Sequence, residues 1–451
     1  MKDVLRRMEW YELFDYAGVE RHLSRMAAKG WRLESAGRYL WRYRRAEPAR
    51  LTYAVTYAED ASLFQPEPTR GQRNLEELCA QCGWEKAAEW HQMQIFCTQQ
   101  ESPVPLETDE RVRLAVLRRA MRRSFLPARL ALLALIFLYL AQMAFLLRTS
   151  PVEFLSRNSL LAAAAALPLC LALALVSPCA YWLWSFRSGR SVRRGGPCAP
   201  CGPWYRWCTS ALSALAAAFL PVLVLAGSPG EQAYLAAHLG IFLLILFLLI
   251  QVSGLLKREG IPRGANLFFT LAADVLLCCA LFGLLRFAAA QGAFALPDGG
   301  EAAPPLLRAE QAVSLPQGQE YVQEHSAFRS PLMSLERGGE TARFPPQPGS
   351  LERLWYKAWQ SPYPSLLDWA NRRLRENESS ESSAYRPEDP SPWGAEEAYR
   401  FWQAGTPQNL WLLRRGNRAA LVRFDWYETA GAGWEPAPAQ KEIIGKQLLG
   451  G

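Results

Sequence analysis

The chain has 451 residues, half of them hydrophobic, with 50 Lys and Arg against 42 Asp and Glu and a net charge of +8. The basic surplus is confined to the middle: residues 1–106 hold 15 charges of each sign, residues 291–451 hold 17 basic and 20 acidic, and residues 107–290 hold 18 basic and 7 acidic. Basic residues beside long apolar runs set membrane orientation, so this distribution argues for a bilayer and against direct nucleic-acid binding.

The first 106 residues read as an α+β domain on the inner side of a membrane. The opening, MKDVLRRMEWYELFD, is charged and lacks an apolar run, so no cleavable signal is expected; MEWYELFD reads as a leading strand. Val19, Leu23, Met26 and Ala27 recur at helical spacing, and Gly30 follows as a helix stop able to take positive φ. Trp31 and Leu33 then open a strand, Gly37 marks a turn, and RYLWRYRR alternates with period two. LTYAVTY adds a strand to this unit. The order of parts then repeats: Leu75, Leu78 and Cys79 on a helix face, Gly83 as the stop, Trp84 opening a strand, QMQIFCT closing a hairpin. Two helix–hairpin units predict a two-layer domain, with a ferredoxin-like arrangement as the candidate topology and the tryptophans as core anchors.

These residues carry a resemblance. Glu20, Leu23, Met26, Ala27, Lys29, Gly30, Trp31 and Leu33, then Tyr53, Val55 and Tyr57, then Gly83, Trp84 and Glu85, and finally Ile95 and Phe96 resemble the bacterial domain-of-unknown-function (DUF) 2812 family over about the first hundred residues. The resemblance implies a domain placed before several membrane helices and a link to regulation, with a cytosolic PadR-type transcription regulator as partner. It supplies no catalytic residues.

Residues 107–129 read as a basic juxtamembrane helix whose Leu114, Leu117, Met121 and Phe125 share one face. Two readings stand: a helix lying on the anionic inner leaflet, or a cytosolic extension of the first span. Within 130–290, five stretches are long and apolar enough to cross a bilayer: 130–147, 160–184, 209–226, 233–256 and 267–290, the alanine-rich third being the weakest. Seven basic residues precede the first span, and the loops then carry two, five, none and three. That alternation places the N-terminus in the cytoplasm of a bacterial cell membrane and, with five spans, residues beyond 291 outside.

Inside the spans, Asp274 is a polar candidate: a packing or cavity role competes with an ion path, for which Gln142 and Gln251 would be companions. Arg286, about 18 Å along the same helix, is too far away to pair with it. Cys79-x-x-Cys82 and Cys198-x-x-Cys201 could together supply four thiolates to a metal, against the reading of Cys79 as core. No cysteine lies beyond Cys279, which excludes a disulfide framework downstream. The motifs G-x-x-x-x-G-K-[ST], H-E-x-x-H and G-x-S-x-G are absent and the four histidines are scattered, so neither an enzyme nor a bound cofactor is expected.

Residues 291–349 read as a linker, and 350–451 as a small Trp-rich extracytoplasmic α+β domain. LERLWYKAWQ and AEEAYRFWQ suit amphipathic helices separated by a polar stretch. NLWLLRRGNRAALVRFDWYE suits a hairpin turning at Gly416-Asn417, and KEIIGKQLL a short helix. The leading reading is a signalling or regulatory membrane protein with an inner protein-binding domain and an outer sensing domain; the alternative is a transporter or its accessory subunit.

Overall fold

The computed structural model describes residues 3–37, 40–58, 61–62, 64–90, 92–225, 229–290, 306–313, 319–344, 348–427 and 434–450, with backbone alone at 220, 223–224, 229–231, 234–235, 286 and 289–290. The chain divides into two compact units. One comprises Met1–Leu138, Ala166–Val222 and Ala233–Phe294, the other Tyr139–Ala165, Leu223–Gln232 and Ala295–Gly451.

The first unit opens with one pattern used twice. β1 (Val4–Met8), α1 (Tyr16–Ala28), β2 (Trp31–Ser35) and β3 (Leu40–Arg45) form the first half. β4 (Thr52–Tyr57), α2 (Arg70–Gln81), β5 (Glu85–Trp90) and β6 (Met93–Thr98) form the second. Each half makes an antiparallel three-stranded sheet, in the orders β1-β3-β2 and β4-β6-β5. The agreement reaches detail. Asp15 and Thr69 cap their helices through bonds to the amides of Gly18 and Gln72, three residues on. Gly30 and Gly83 end them, both at φ +78°, and each hairpin carries a bulge, between Leu33 and Ser35 or between Lys86 and Ala88.

Three expectations change here. The leading strand is Val4–Met8, and MEWYELFD leaves the sheet after Met8. Adjacent Leu13 and Phe14 are both buried, which the two-residue period of a strand does not allow on a one-faced sheet. LTYAVTY opens the second half and does not close the first. A ferredoxin-like arrangement would join the strands in one sheet, whereas each half pairs within itself among the described residues. What unites the halves is α1. Its Val19, Leu23 and Met26 share one core with Trp41 and Tyr43 of the first sheet and Val55 and Ile95 of the second. The other face of β6 is covered by α2, through Cys79, Trp84 and Phe96.

α3 (Glu110–Ala120) continues through a π-turn (Met121–Phe125) into α4 (Leu126–Thr149), one helical run of 40 residues. The apolar stripe Leu114, Leu117, Met121 and Phe125 is buried in the protein core, so this helix extends the first span and its stripe is covered by protein. α5 (Pro151–Ser156), α6 (Asn158–Arg193), α7 (Trp204–Leu225), α8 (Pro229–Arg258) and α9 (Arg263–Ala290) follow. All five apolar stretches are helical. Among the described residues four helices are long and apolar enough to cross a membrane: Glu110–Thr149, Asn158–Arg193, Ala236–Arg258 and Arg263–Leu285.

The second unit is built on a seven-stranded antiparallel sheet. Its strands are β7 (Tyr321–Arg329), β8 (Ser334–Ala342), β9 (Leu351–Gln360), β10 (Ser383–Glu388), β11 (Glu397–Gln403), β12 (Thr406–Arg415) and β13 (Arg418–Trp426), ordered β10-β11-β12-β13-β9-β8-β7. The short α10 (Ala309–Ala312) and the terminal α12 (Pro438–Leu449) share a core with Tyr356, Trp393, Trp411 and Phe424, while α11 (Pro364–Glu378) reaches Trp359 through Asn371.

The hairpin at Gly416-Asn417 and the final helix lie where expected. LERLWYKAWQ and AEEAYRFWQ are strands, not helices. β9 is buried on both faces, Tyr356 on one and Trp359 on the other, so its pattern loses the alternation that marks a strand. In β11 a charged residue faces inward: Arg400 lies over the Trp411 ring at 4.9 Å and donates to the carbonyls of Gln408 and Trp434. The stretch read as linker supplies β7 and β8, and the polar stretch after β9 supplies α11 and β10. Residues 291–305 lie outside the described residues.

Candidate functional site

The segment Glu9–Asp15 between β1 and α1 is where the N-terminal domain grips the helices of its own unit. Asp15 is 1% exposed. Its Oδ1 accepts the Gly18 amide at 3.1 Å, which caps α1, and its Oδ2 accepts the Tyr205 hydroxyl of α7 at 2.7 Å. Tyr205 also accepts the Glu12 amide at 3.4 Å. Glu12 Oε1 takes two donors, Arg129 of α4 at 2.6 Å and Ser177 of α6 at 2.7 Å. Burial pushes the Asp15 carboxyl up to about 6, against the opposing bond from Tyr205.

Phe14, fully buried, fixes the segment sterically. Its ring lies 5.7 to 6.1 Å from those of Phe125, Tyr181, Trp184 and Tyr205. Arg118 adds a tie from α3 to α6, donating to Ser185 Oγ at 3.0 Å and to its carbonyl at 2.7 Å. A cavity of about 360 Å³ lies beside this network, bordered by Tyr11, Glu12, Arg129, Cys170, Ser177 and Thr209.

A second carboxylate, half-buried, closes the edge of the second sheet. Glu20 accepts the Val55 amide at 2.9 Å, satisfying a donor of edge strand β4, and burial lifts it to about 7. Nearby Arg113 pairs with Glu107 at 2.9 Å and Glu110 at 2.7 Å, and Glu110 accepts the Cys198 amide at 2.8 Å.

The cysteine pairs are separated. Cys79 belongs to the α2 core, with Cys82 packed against it, whereas Cys198 and Cys201 are buried in the main core beneath the helices. Burial pushes Cys79 up to about 11 and Cys198 and Cys201 up to about 12. No group of three or more metal-ligating side chains is assembled among the described residues. Asp274 accepts a hydrogen bond from Cys278 Sγ, one turn on, at 3.6 Å; the Arg286 side chain and His91 lie outside the described residues. The Gly-Trp junctions differ in one respect. Trp84 is 4% exposed and donates to the Val104 carbonyl at 2.9 Å, while Trp31 is half-buried beneath Arg45.

In the second unit, the short connection between α4 and α6 docks on the sheet. Glu153 of α5 pairs with Lys357 at 2.5 Å and Arg337 at 2.9 Å; burial raises its pKa but these two cations outweigh it and leave it lowered. Asn158 donates to the Arg329 carbonyl at 2.9 Å, Asn377 donates to that of Arg148 at 2.6 Å, and Arg157 covers Phe328 at 4.5 Å.

Sequence reasoning missed Glu12, Ser177, Tyr205 and Glu153. Asp15 carried one local signal, an acidic residue immediately before a helix. The family model described as "Protein of unknown function (DUF2812)" matches residues 15–128, from the α1 cap through α3 and the π-turn. No curated protein and no solved structure matches the chain.

Proposed function

We infer that this chain, which belongs to the DUF2812 family through residues 15–128, is a multi-pass membrane protein that passes a regulatory signal between a C-terminal sensing domain and an N-terminal protein-binding domain. The coarse part is direct: a DUF2812 domain and four span-capable helices in one chain make a membrane protein of unknown function. The directional part is supported by one observation. α4 is held near its start by Arg129 on Glu12 and at its end by Asn377 on the Arg148 carbonyl, and α6 is held at its start by Asn158 on the Arg329 carbonyl and at mid-length by Ser177 on Glu12. A continuous helix fixed in this way can bias packing at one end when packing at the other changes.

With α7 counted as a fifth crossing beside the four span-capable helices, the charge alternation of the loops supports an N-terminus in the cytoplasm and a C-terminal domain outside. Membership of the units agrees with it. The connections after α6 and α8 belong to the unit of the N-terminal domain, and that after α4 to the unit of the C-terminal sheet. The inner partner in this reading is a cytosolic regulator of PadR type, and the protein performs no catalysis.

Two measurements test the reading. Alkaline phosphatase fused after Gly451 is expected to be active; an inactive fusion would put both domains on one side and overturn the sensing arrangement. Affinity capture of the full-length protein from solubilised membranes is expected to recover a transcription regulator, and recovery of none in repeated captures refutes the partner. The transport alternative keeps Asp274 as its residue. Substrate flux abolished by Asp274→Asn would replace signalling with transport.

A further inference from the structure

We propose that the cavity bordered by α4, α6, α7 and the Glu9–Asp15 segment binds an uncharged lipid through an ester or ketone carbonyl. The proposal deepens the reading above by naming an input to the junction, and rests on α4 and α6 crossing a bilayer. The cavity measures about 360 Å³, within the range of small-ligand sites.

Its polar groups are sorted by depth. Glu12, Arg129, Ser177 and Tyr205 stand at the domain end, and each has a protein partner. Arg129 pairs with Glu12 at 2.6 Å, Ser177 donates to the same carboxylate at 2.7 Å, and the Tyr205 hydroxyl donates to Asp15 at 2.7 Å. The two charged groups on the wall are thus bonded to each other. A charged ligand would have to break that pair or be desolvated without a counter-charge. About one and two turns along α4 from Arg129 the wall becomes apolar, with Leu132 and Ile136, and α6 brings Leu173 and Ala174.

α7 departs from this order. Thr209 and Ser213, about one and two turns beyond Tyr205, carry hydroxyls along the same wall. Ser124 and Thr149 turn their hydroxyls back onto carbonyls four residues earlier, at 3.0 and 2.9 Å, the usual resort of a hydroxyl within a helix. Thr209 does not: its Oγ1 is buried and has no hydrogen-bond partner among the described residues. A hydroxyl left in this way is costly, and it has one proton to donate. A carbonyl oxygen accepts that proton and brings neither a charge nor a donor of its own to satisfy. The apolar remainder of such a molecule suits Leu132, Ile136 and Leu173. The bilayer is its source, and this part of the wall is open, since Leu132 is 39% exposed and Cys170 is exposed. Glu12 and Tyr205 also tie the domain to these helices, so occupancy beside them would bias that junction.

Full-length protein in mild detergent tests the site, with dioctanoylglycerol, octanoate and decane as probes. The readout is the rate at which N-ethylmaleimide labels Cys170 on the wall, with Cys208, exposed on α7 and not on the wall, as internal reference. Dioctanoylglycerol is expected to slow labelling of Cys170 and leave Cys208 unchanged; octanoate and decane should slow neither. Thr209→Val with Ser213→Ala, shown to be folded by a parent-like unfolding curve, should raise the concentration needed on the order of tenfold. Thr209→Ser, which keeps the hydroxyl, and Ser210→Ala, which removes one bordering a different cavity, should not. Equal protection by octanoate or decane overturns the proposal. So does protection that survives the double substitution or is lost in either control variant. No protection by any probe also overturns it, by assigning the cavity to water. Extraction of the protein from membranes by alkaline carbonate would instead defeat the spanning reading; resistance to extraction without protection of Cys170 defeats the cavity alone.

Discussion

Replacement of Asp15 by Asn gives a pH-dependent change in stability whose sign and size follow from the site. The carboxyl, ordinarily at 3.8, is lifted by burial to about 6. A difference of about 2.2 units at 1.36 kcal/mol each is ~3 kcal/mol. A carboxyl raised in the folded state keeps its proton where the unfolded chain has lost it. Folding is therefore favoured at low pH, and this contribution is lost as pH rises from about 4 to about 6. Asn carries no charge and still caps α1, but the Tyr205 hydroxyl proton loses its acceptor, which costs about 1 kcal/mol. Asp15→Asn should therefore be less stable than the parent by about 1 kcal/mol at pH 3 and more stable by about 2 kcal/mol at pH 7.5. Denaturant unfolding of the detergent-solubilised full-length protein, followed by tryptophan fluorescence, measures both. Glu20 titrates in an overlapping window but cancels in the difference. A mutant-minus-parent difference unchanged between the two pH values would refute the burial argument.

Other expectations follow from individual contacts. At Gly30 an added Cβ would lie 2.8 Å from the Ala46 carbonyl, whereas at Gly83 it meets only the end of the Gln100 side chain. Gly30→Ala should thus destabilise by ~2–3 kcal/mol and Gly83→Ala by ~1–2 kcal/mol, in the same unfolding assay, and the reverse ranking would contradict the geometry. At Gly445 a Cβ would sit 1.8 Å from the Trp393 carbonyl, so Gly445→Ala should detach α12 and make it sensitive to limited proteolysis; parent-like resistance would show that the close approach is not needed. Cys79, Cys97, Cys198 and Cys201 are buried with raised pKa values, and a water-soluble maleimide at pH 7.5 should label them only after unfolding. Fast labelling in native protein, read by peptide mass spectrometry, would exclude the described packing.

The duplicated unit could be read because each Gly-Trp junction combines a backbone requirement with a large apolar side chain, and both leave marks in short windows. The spans could be read because their length is set by the bilayer. In the seven-stranded sheet the β12–β13 hairpin could be read from its turn, but β9 and β11 could not, since β9 is buried on both faces and β11 turns Arg400 inward, which removes the alternation on which strand recognition depends. The junction was least accessible. Glu12, Asp15, Ser177 and Tyr205 are ordinary residues in their local contexts, and only folding brings together positions as far apart as Asp15 and Tyr205. The docking of α5 likewise depends on Glu153 meeting Lys357 from a strand whose sequence reads as a helix.

The placement of Phe14 has a consequence for biosynthesis. Its pocket is completed by Tyr181 and Trp184 of α6 and by Tyr205 of α7. A ribosome delivers these rings more than 160 residues after Phe14 itself. The nascent domain can form its two sheets around α1 early, yet its aromatic plug has no socket until the second and third apolar helices have been made. Chains truncated after Thr149 should therefore show a fluorescent-dye binding surface that chains extending past Leu225 have lost. In this protein, completion of the aqueous domain waits on assembly of the helices that follow it.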